Sequence, residues 1–400
     1  MTWPMIPVSE LCELAVDCVN KTAPTVEHET EFKMIRTTNV KGGFIDLKEV
    51  RFVTEEVFNK WTRRSRPQYG DVVLTREAPV GEVGRFTSND EKVFLGQRLF
   101  HYRPDPNKLD WNFLAYALQS PQIQGKFKGM GFGATVDHVR VGDAERLPIP
   151  FPPLNVQKRI GDTLSAYDDL IENNRRRIQL LEQAARLLFK EWFVHLRFPG
   201  QEHTQIIDGV PEGWEKKVLG DVCFEVRETV SPSALEANTP YIGLEHMPRR
   251  SITLCEWGQA EQVTSSKHRF REGEILFGKI RPYFHKVGIA LTDGVASSDA
   301  IIIRPLNSHL LPLVLMTTSS DGFVAVTAQQ MKEGSKMPRA DWKQMQQYPV
   351  PLPPDGLLRA FNDFIEPILN QLKTFAFANK RLGAGRDLLL PKLMNGEIAV

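Results

Sequence analysis

The chain has 400 residues, of which 42% are hydrophobic and 25% are charged, a composition that excludes a disordered or fibrous protein. Fifty Lys and Arg residues against 49 Asp and Glu residues leave a formal charge of +1, and this total by itself argues mildly against a nucleic-acid partner. The four cysteines form no Cys-x-x-Cys pair, and neither a signal-peptide pattern nor a membrane-length apolar run is found, so we expect a reducing, cytoplasmic location with no membrane partner.

Residues 1–150 combine short strand patterns with loops. Val72-Val-Leu74 is an apolar, β-branched run close behind a glycine, which predicts a strand. Trp111-Asn-Phe-Leu-Ala-Tyr-Ala-Leu-Gln119 has a helical pattern. We therefore predict a mixed α+β domain over residues 1–150.

A proline-rich hinge and a long helix follow, over residues 151–199. Leu147-Pro-Ile-Pro-Phe-Pro-Pro153 has proline at alternate positions, which excludes a helix interior and holds the chain extended. The other interpretation, a proline-rich ligand for a partner, is disfavoured because a helix pattern follows directly. That helix should have roughly 35 residues and span roughly 50 Å at about 1.5 Å per residue. Its heptad seam comprises Ile160, Leu164, Ile171, Asn174, Ile178 and Leu181.

The second half of the chain repeats the first. Tyr348-Pro-Val-Pro-Leu-Pro-Pro354 matches the first hinge at a shift of 201 residues, and Gly273-Glu-Ile-Leu-Phe-Gly-Lys279 resembles Gly70-Asp-Val-Val-Leu-Thr-Arg76. Tandem duplication is the simplest account. We predict a second α+β domain over residues 200–350, in which Glu274-Ile-Leu-Phe277 and Asp299-Ala-Ile-Ile-Ile303 are strand candidates and residues 310–320 a helix candidate.

The second hinge and helix should occupy residues 351–400. Pro367 is expected to kink this helix, and Gly383 and Gly385 each cost about 1 kcal/mol relative to alanine, so it should be the less regular of the two helices. Its seam comprises Ile365, Ile368, Leu372, Asn379 and Leu382.

Two helices of matching length can bury each other's apolar stripes. We predict that they pair antiparallel, while packing of each stripe on its own globular domain stays open as the other interpretation. Asn174 and Asn379 are polar seam residues that either fix the register or mark local fraying. The predicted fold class is α+β: two similar globular domains separated by two long antiparallel coiled-coil helices, with a pseudo-twofold internal repeat.

Common catalytic motifs are missing from the sequence. We find no Gly-x-x-x-x-Gly-Lys-Ser/Thr loop, no His-Glu-x-x-His motif, no Gly-x-Ser-x-Gly elbow and no Asn/Asp-Pro-Pro-Tyr/Phe tetrapeptide. Gly129-Met-Gly-Phe-Gly133 resembles a dinucleotide-binding loop but lacks the strand and helix that such a loop requires. We therefore predict a non-catalytic chain that binds neither cofactor nor metal.

Basic residues cluster locally although the total charge is near zero. Between His246 and Lys286, eight Lys and Arg residues stand against four Asp and Glu residues. Arginine can fork onto guanine, and arginine or lysine can bind phosphate, so such clusters are candidate DNA contacts, with a solvated surface as the other interpretation for each residue. The candidates are Arg63, Arg64, Arg66, Lys126, Lys128, Thr135, His138, Arg249, Arg250, Lys267, Arg269, Arg271, Lys279, Arg281, His285, Lys336 and Arg339.

Longer motifs lie in the helical regions and their flanks. They are Leu147-Pro-Ile-Pro-Phe-Pro-Pro-Leu-Asn-Val-Gln-Lys-Arg-Ile160, Leu170-Ile-Glu-Asn-Asn174, Leu187-Leu-Phe-Lys-Glu-Trp-Phe-Val194, Gly213-Trp-Glu-Lys-Lys-Val-Leu-Gly-Asp221 and Leu389-Leu-Pro-Lys-Leu-Met-Asn-Gly-Glu-Ile398. In these motifs the chain resembles the specificity (S) subunits of type I restriction–modification systems, and the likeness in organisation spans the whole chain.

The resemblance implies two target-recognition domains that each read one half of a bipartite sequence in double-stranded DNA. The helices would act as spacer and as docking surface for two modification (M) subunits. The resemblance assigns S-adenosylmethionine to the modification subunits and ATP and Mg to a restriction (R) subunit, with no cofactor in this chain. A rod of roughly 50 Å fits half-sites about one helical turn, roughly 34–36 Å, apart.

Two other functions remain as hypotheses. One is a self-sufficient restriction or methylation enzyme of a related defence system, against which the missing catalytic motifs speak. The other is a coiled-coil scaffold with no DNA role. Sequence preference in DNA binding, measured with salt varied, distinguishes the scaffold from the specificity subunit.

Overall fold

The structure, a computed structural model, describes residues 3–89, 91–129, 138–329 and 338–398. The contacts divide the chain into unit 1, Met1–Leu170 with Arg381–Val400, and unit 2, Ile171–Lys380. Both divisions fall inside long helices, because each globular segment shares a hydrophobic core with the helical residues beside it. The domain boundaries at residues 150, 199 and 350 stay predictions.

Unit 1 is a mixed α+β unit. Its strands are β1 (Met5–Pro7), β2 (Cys12–Asp17), β3 (Phe32–Ile35), β4 (Val40–Lys41), β5 (Phe44–Ile45), β6 (Arg51–Phe52), β7 (Val72–Thr75), β8 (Val83–Arg85), β9 (Lys92–Leu95), β10 (Leu99–Pro104) and β11 (Pro148–Pro150). A four-stranded antiparallel sheet has the order β2-β10-β7-β8, and a three-stranded sheet has the order β6-β3-β9. Strand β7 is buried along its whole length, which explains its continuous apolar run.

Unit 2 repeats the main sheet and extends it. Its strands are β12 (Ile206–Ile207), β13 (Val210–Pro211), β14 (Glu215–Val218), β15 (Cys223–Val226), β16 (Thr229–Val230), β17 (Pro240–Ile242), β18 (Thr253–Leu254), β19 (Gly258–Gln259), β20 (Lys267–Phe270), β21 (Ile275–Gly278), β22 (Val287–Ala290), β23 (Gly294–Ala296), β24 (Ala300–Pro305) and β25 (Pro349–Leu352). The order β15-β24-β21-β22 corresponds to β2-β10-β7-β8, and β18 adds a parallel strand beside β22. A second sheet has the order β16-β20-β23-β17-β19. The predicted strands at residues 72–74, 274–277 and 299–303 are confirmed as β7, β21 and β24.

The helices include both of the predicted short ones. They are α1 (Glu55–Trp61), α2 (Trp111–Gln119), α3 (Pro121–Gly129), α4 (Val141–Glu145), α5 (Leu154–Phe189), α6 (Leu311–Thr318), α7 (Asp321–Gln329), α8 (Trp342–Met345) and α9 (Asp355–Met394). Helix α2 begins at Trp111 because the Asp110 side chain accepts a hydrogen bond from the Phe113 backbone N–H at 2.8 Å, satisfying one of the free donors of the first turn.

Both hinges are β-strands in the structure. Strand β11 pairs antiparallel with β1, and β25 pairs antiparallel with β14. Proline can occupy such two-stranded pairs because its missing N–H lies on an unpaired edge. The extended hinges are confirmed, and their pairing ties each hinge to a strand near the start of its own globular segment.

Helix α9 is continuous in the structure, whereas the sequence predicted that it would be the less regular of the two long helices. Helix α9 continues without interruption through Pro367, Gly383 and Gly385. Ile365 and Leu372, on either side of the proline, are fully buried, so packing outweighs the lost hydrogen bond and the low helix propensity. The irregular helix end belongs to α5 instead, which passes into a π turn over Lys190–Val194.

No single helix among the described residues is long and apolar enough to cross a bilayer. One bent pair, Ser308–Thr318 with Asp321–Gln329, meets the length and composition criteria across a 63° bend. Leu313 to Met316 are 0–1% exposed in the core of unit 2, so burial in that core accounts for their apolar sequence.

Candidate nucleic-acid interface and the helix seam

The repeated sheet presents an equivalent loop in each unit. In unit 1 the loop of residues 76–82 joins β7 to β8, and in unit 2 the loop of residues 279–286 joins β21 to β22. Ala78 and Arg281 both have a left-handed backbone, with φ of 45° and 49°, and each precedes a proline. The second left-handed position is Gly81 in unit 1 and His285 in unit 2. The two loops therefore share a left-handed residue before a proline and a second left-handed position, but the unit 2 loop is one residue longer and carries different side chains.

The unit 2 loop gathers aromatic and basic side chains. The Arg249 guanidinium carbon lies 4.2 Å from the ring centre of Phe284, and that of Arg281 lies 5.9 Å from it. The Tyr283 ring packs edge-on against Phe284 at 5.0 Å and remains 52% exposed. Phe284 thus holds two arginines and a tyrosine at one exposed site.

His285 is the buried residue of this loop, with only 3% of its surface exposed. Its Nε2 lies 2.8 Å from the Ser319 carbonyl oxygen, and its Nδ1 lies 3.5 Å from Asp321 Oδ1. Burial lowers the pKa of His285, and the neighbouring Arg186 and Arg250 act in the same direction. The structure therefore gives His285 a packing role in the loop, because the ring is buried and the single N–H of its neutral form donates to the Ser319 carbonyl, which leaves no donor for a ligand.

The remaining unit 2 candidates divide by their partners. Ion pairs join Arg250 to Asp321 at 2.9 Å, Arg269 to Glu228 at 3.9 Å and Arg339 to Asp299 at 3.3 Å. Lys267 is buried, and its Nζ donates to Ser265 Oγ at 2.7 Å. Arg271 is exposed and Lys279 half-buried, and neither has an ion-pair partner in the described ranges. Lys336 lies outside the described residues.

The unit 1 basic candidates are more dispersed. Arg64 forms an ion pair with Asp17, Arg63 is exposed, and Arg66 is exposed with its guanidinium carbon 5.2 Å from the ring centre of Phe58. These three candidates lie in the turn that follows α1.

The other unit 1 candidates lie near the hinge and the sheet loop. Lys126 Nζ donates to the Pro148 carbonyl at 3.2 Å, and burial lowers its pKa, so it fastens α3 to the hinge strand. His138 Nδ1 lies 2.8 Å from Glu77 Oε1, in the 76–82 loop. Thr135 and the side chain of Lys128 lie outside the described residues.

The seam of α5 and α9 is observed within each unit. In unit 2 the Asn174 Nδ2 donates to Asn379 Oδ1 at 2.9 Å, and Trp192 packs on Phe361 at 5.8 Å between ring centres. From Asn174 to Trp192 the residue numbers rise along α5 and its continuation, whereas those of their partners on α9 fall from 379 to 361, so the helices pair antiparallel, as predicted. The two asparagines, which the 201-residue repeat does not relate, bond to each other.

The seam residues also pack on the globular segments. Ile160 and Leu164 belong to the core of unit 1, and Ile178, Ile365 and Leu372 belong to the core of unit 2. Of the other predicted seam residues, Ile171 is buried, whereas Leu181, Ile368 and Leu382 are half-buried. The two interpretations of the stripes are therefore both correct, since a helix of this length has faces for a second helix and for a domain.

Two buried carboxylates on α5 were missed in the sequence. In unit 1 Asp168 accepts hydrogen bonds from Tyr116, from Arg386 and, at 3.3 Å, from Arg85. The side chains of Asp168 and Arg85 are 2% and 4% exposed. This network fixes strand β8 and helix α2 to both long helices.

In unit 2 Glu182 has the corresponding task. Its Oε1 accepts from the backbone N–H groups of Ile252 and Thr253 at 3.1 and 3.0 Å, and from the hydroxyls of Ser251 and Thr253. A signal for both residues existed: Asp168 follows Leu164 by four residues, and Glu182 follows Ile178 by four, so each lies on the buried face of the helix.

Comparison with known proteins gives a consistent result. Residues 2–183 match the family model described as the type I restriction modification DNA specificity domain. The type I restriction enzyme MjaIX specificity subunit of Methanocaldococcus jannaschii is 23% identical over 365 residues, which cover 88% of this chain and 82% of that protein. The EcoDI specificity subunit of Escherichia coli is 25% identical over 254 residues, covering 56% of this chain and 55% of that protein.

A solved structure shares the fold. The crystal structure of the type I restriction–modification system S subunit from M. genitalium has a TM-score of 0.60 at 17% identity, covering 98% of this chain and 96% of that chain. The order of globular segments and long helices seen in the chain is therefore a known arrangement.

Proposed function

The chain belongs to the family of type I restriction–modification specificity subunits, and on that premise we propose that it selects a bipartite sequence in double-stranded DNA. Unit 1 and unit 2 each recognise one half-site, and the chain selects the DNA sequence without catalysing its modification. The observation that carries this proposal is the duplicated α+β unit, each copy built on the same sheet order and joined to the same two helices.

Modification subunits are the proposed partners that supply S-adenosylmethionine and methylate the selected site. A restriction subunit would add ATP- and Mg-dependent cleavage. The proposed docking surface is the outer face of the long helices, where large apolar side chains are exposed against expectation: Leu180 is 64% and Leu187 61% exposed, seven residues apart on one face of α5. Replacing both with glutamate is expected to reduce co-purification of a modification subunit, whereas Gln179→Glu, on the exposed side of the same helix, leaves it unchanged.

Methylation mapping tests the main proposal. The chain is expressed with its modification subunit in cells free of other methylases, and modified bases are mapped by long-read sequencing. We expect one two-part motif with a fixed gap between its halves. Methylation without any bipartite motif would contradict the proposal, and so would turnover by the chain alone with DNA and S-adenosylmethionine.

A further inference from the structure

We propose that the 279–286 loop of unit 2, together with Arg249, is a DNA-contacting element: Arg249 and Arg281 bind backbone phosphates, and Tyr283 contacts base edges in one half-site. This inference rests on the proposed function and names residues that carry it out. It commits unit 2 to a side-chain set that unit 1 does not have at the equivalent loop.

Charge is the first support. In residues 279–286, Lys279, Arg281 and Lys286 give a formal charge of +3 with histidine neutral. In the equivalent residues 76–82, Arg76 against Glu77 and Glu82 gives −1. The two loops occupy the same place in the repeated sheet but carry charges of opposite sign, and phosphate attraction grows with each lysine or arginine that can reach the DNA.

The lack of internal partners is the second support. Arg249 and Arg281 have no ion-pair partner among the described residues, unlike the neighbouring Arg250. An arginine already paired with a carboxylate must lose that pair before it binds a phosphate. The two arginines on Phe284 can bind phosphate without that cost.

Preorganisation is the third support. A guanidinium that stacks on an aromatic ring loses less freedom for each hydrogen bond it later forms. Two contacts hold the loop in place: the buried His285 ring bonds to the Ser319 carbonyl, and the backbone N–H of Arg281 donates to the Pro338 carbonyl at 3.0 Å. Two non-glycine residues in the left-handed region bracket Tyr283 and Phe284, and such strain persists only where the surroundings hold it.

Tyr283 completes the element. Its ring is half exposed at the loop tip, with Phe284 behind it. A tyrosine placed there offers both an apolar edge for a thymine methyl group and a hydroxyl for a base acceptor, the two kinds of contact that carry sequence information. The contacts of the two arginines with the DNA phosphates then position the loop along the duplex.

The test uses the full chain with its modification subunit and the DNA motif found by methylation mapping. Binding is measured across a salt series with the motif, with DNA altered in either half-site and with unrelated DNA. Arg249→Ala and Arg281→Ala are each expected to reduce the slope of log affinity against log salt by about 0.9 on every DNA. Tyr283→Ala is expected to reduce discrimination within one half-site by about 10- to 100-fold and to leave the other half-site unchanged.

Matched controls separate contact from folding. Arg227→Ala removes an exposed arginine of unit 2 that is paired with Glu225, and Tyr69→Ala removes a similarly exposed tyrosine of unit 1; both should behave as the wild type. Arg281→Ala exchanges one non-glycine residue in the left-handed region for another, so the backbone strain at this position should stay about the same. Arg281→Lys keeps the charge and should keep the salt slope.

The outcomes distinguish the two levels of the proposal. If the wild-type complex shows no bipartite preference, the proposed function fails and the loop assignment fails with it. If the wild type is specific and the three alanine variants match the controls, the loop assignment alone is overturned. Loss of the salt slope in Arg281→Lys would overturn the phosphate role of that arginine.

Discussion

Asp168→Ala should specifically destabilise unit 1. Asp168 neutralises Arg85, whose side chain is 4% exposed, and the substitution leaves that guanidinium buried without a counter-charge. Breaking a buried pair by removing one partner costs about 3–5 kcal/mol. Arg386 is 25% exposed, so solvent screens its share, which adds about 1 kcal/mol or less. Since Arg85 keeps hydrogen bonds to Gly43 and Asn112, we expect a total near the lower end, about 3–4 kcal/mol.

Hydrogen exchange across a urea series measures this effect unit by unit. Amides of α2 report on unit 1 and amides of β24 on unit 2, which avoids treating two units as one two-state transition. Asp169→Ala is the matched control, because Asp169 is the next residue, exposed, and should change stability by less than about 0.5 kcal/mol. If the two variants lose equal stability, or if β24 responds as strongly as α2, the buried network does not anchor unit 1.

Three further outcomes are expected. Asn379→Leu should lower the free energy of unfolding by about 1 kcal/mol, because it leaves the Asn174 amide unpaired, and the additional substitution Asn174→Leu should restore it. In a double-mutant cycle, additive losses of unfolding free energy would show that the two asparagines are not coupled. Folding lowers the pKa of His285, so near pH 6.5 the unfolded chain binds a proton that the folded chain does not bind. Unit 2 should therefore keep its full stability above that pH and lose stability as the pH falls below it. His285→Asn, a residue type that tolerates the left-handed backbone, should reduce the difference in stability between pH 7.5 and pH 5.5 measured by urea unfolding, and an unchanged difference would show that His285 is not its cause. Exchanging residues 200–353 for a relative's segment keeps the β14–β25 pair together and should change one half-site of the methylation motif, while a change in both would show that the boundaries are wrong.

The sequence predicted the architecture well because the architecture depends on local patterns. The strands β7 and β21, the extended hinges and the two long helices each follow from apolar spacing or proline placement within about ten residues. The repeat then required both halves to share one plan. Helix α9 nevertheless continues through Pro367, Gly383 and Gly385, because helix propensity is a weak term that the packing of the buried Ile365 and Leu372 outweighs. The kink at Pro367 stays a prediction.

The candidate site was less predictable because residue type does not reveal the partner. Arg249 and Arg250 are adjacent and identical in the sequence, yet Arg250 is paired with Asp321 and Arg249 lies on Phe284. His285 and Lys267 belong to the same basic window and are buried. Nothing within a few residues of them encodes these differences.

The sequence by itself thus determined a duplicated α+β chain with two long helices that each carry an apolar stripe, since periodicity, glycine and proline act over short distances. The tertiary structure alone decided that Asn174 bonds to Asn379, that Asp168 is buried between Arg85 and Arg386, and that Arg250 pairs with Asp321 while Arg249 lies on Phe284. Those pairings join residues far apart in the chain. Each depends on burial and charge at a contact that only the folded chain brings together.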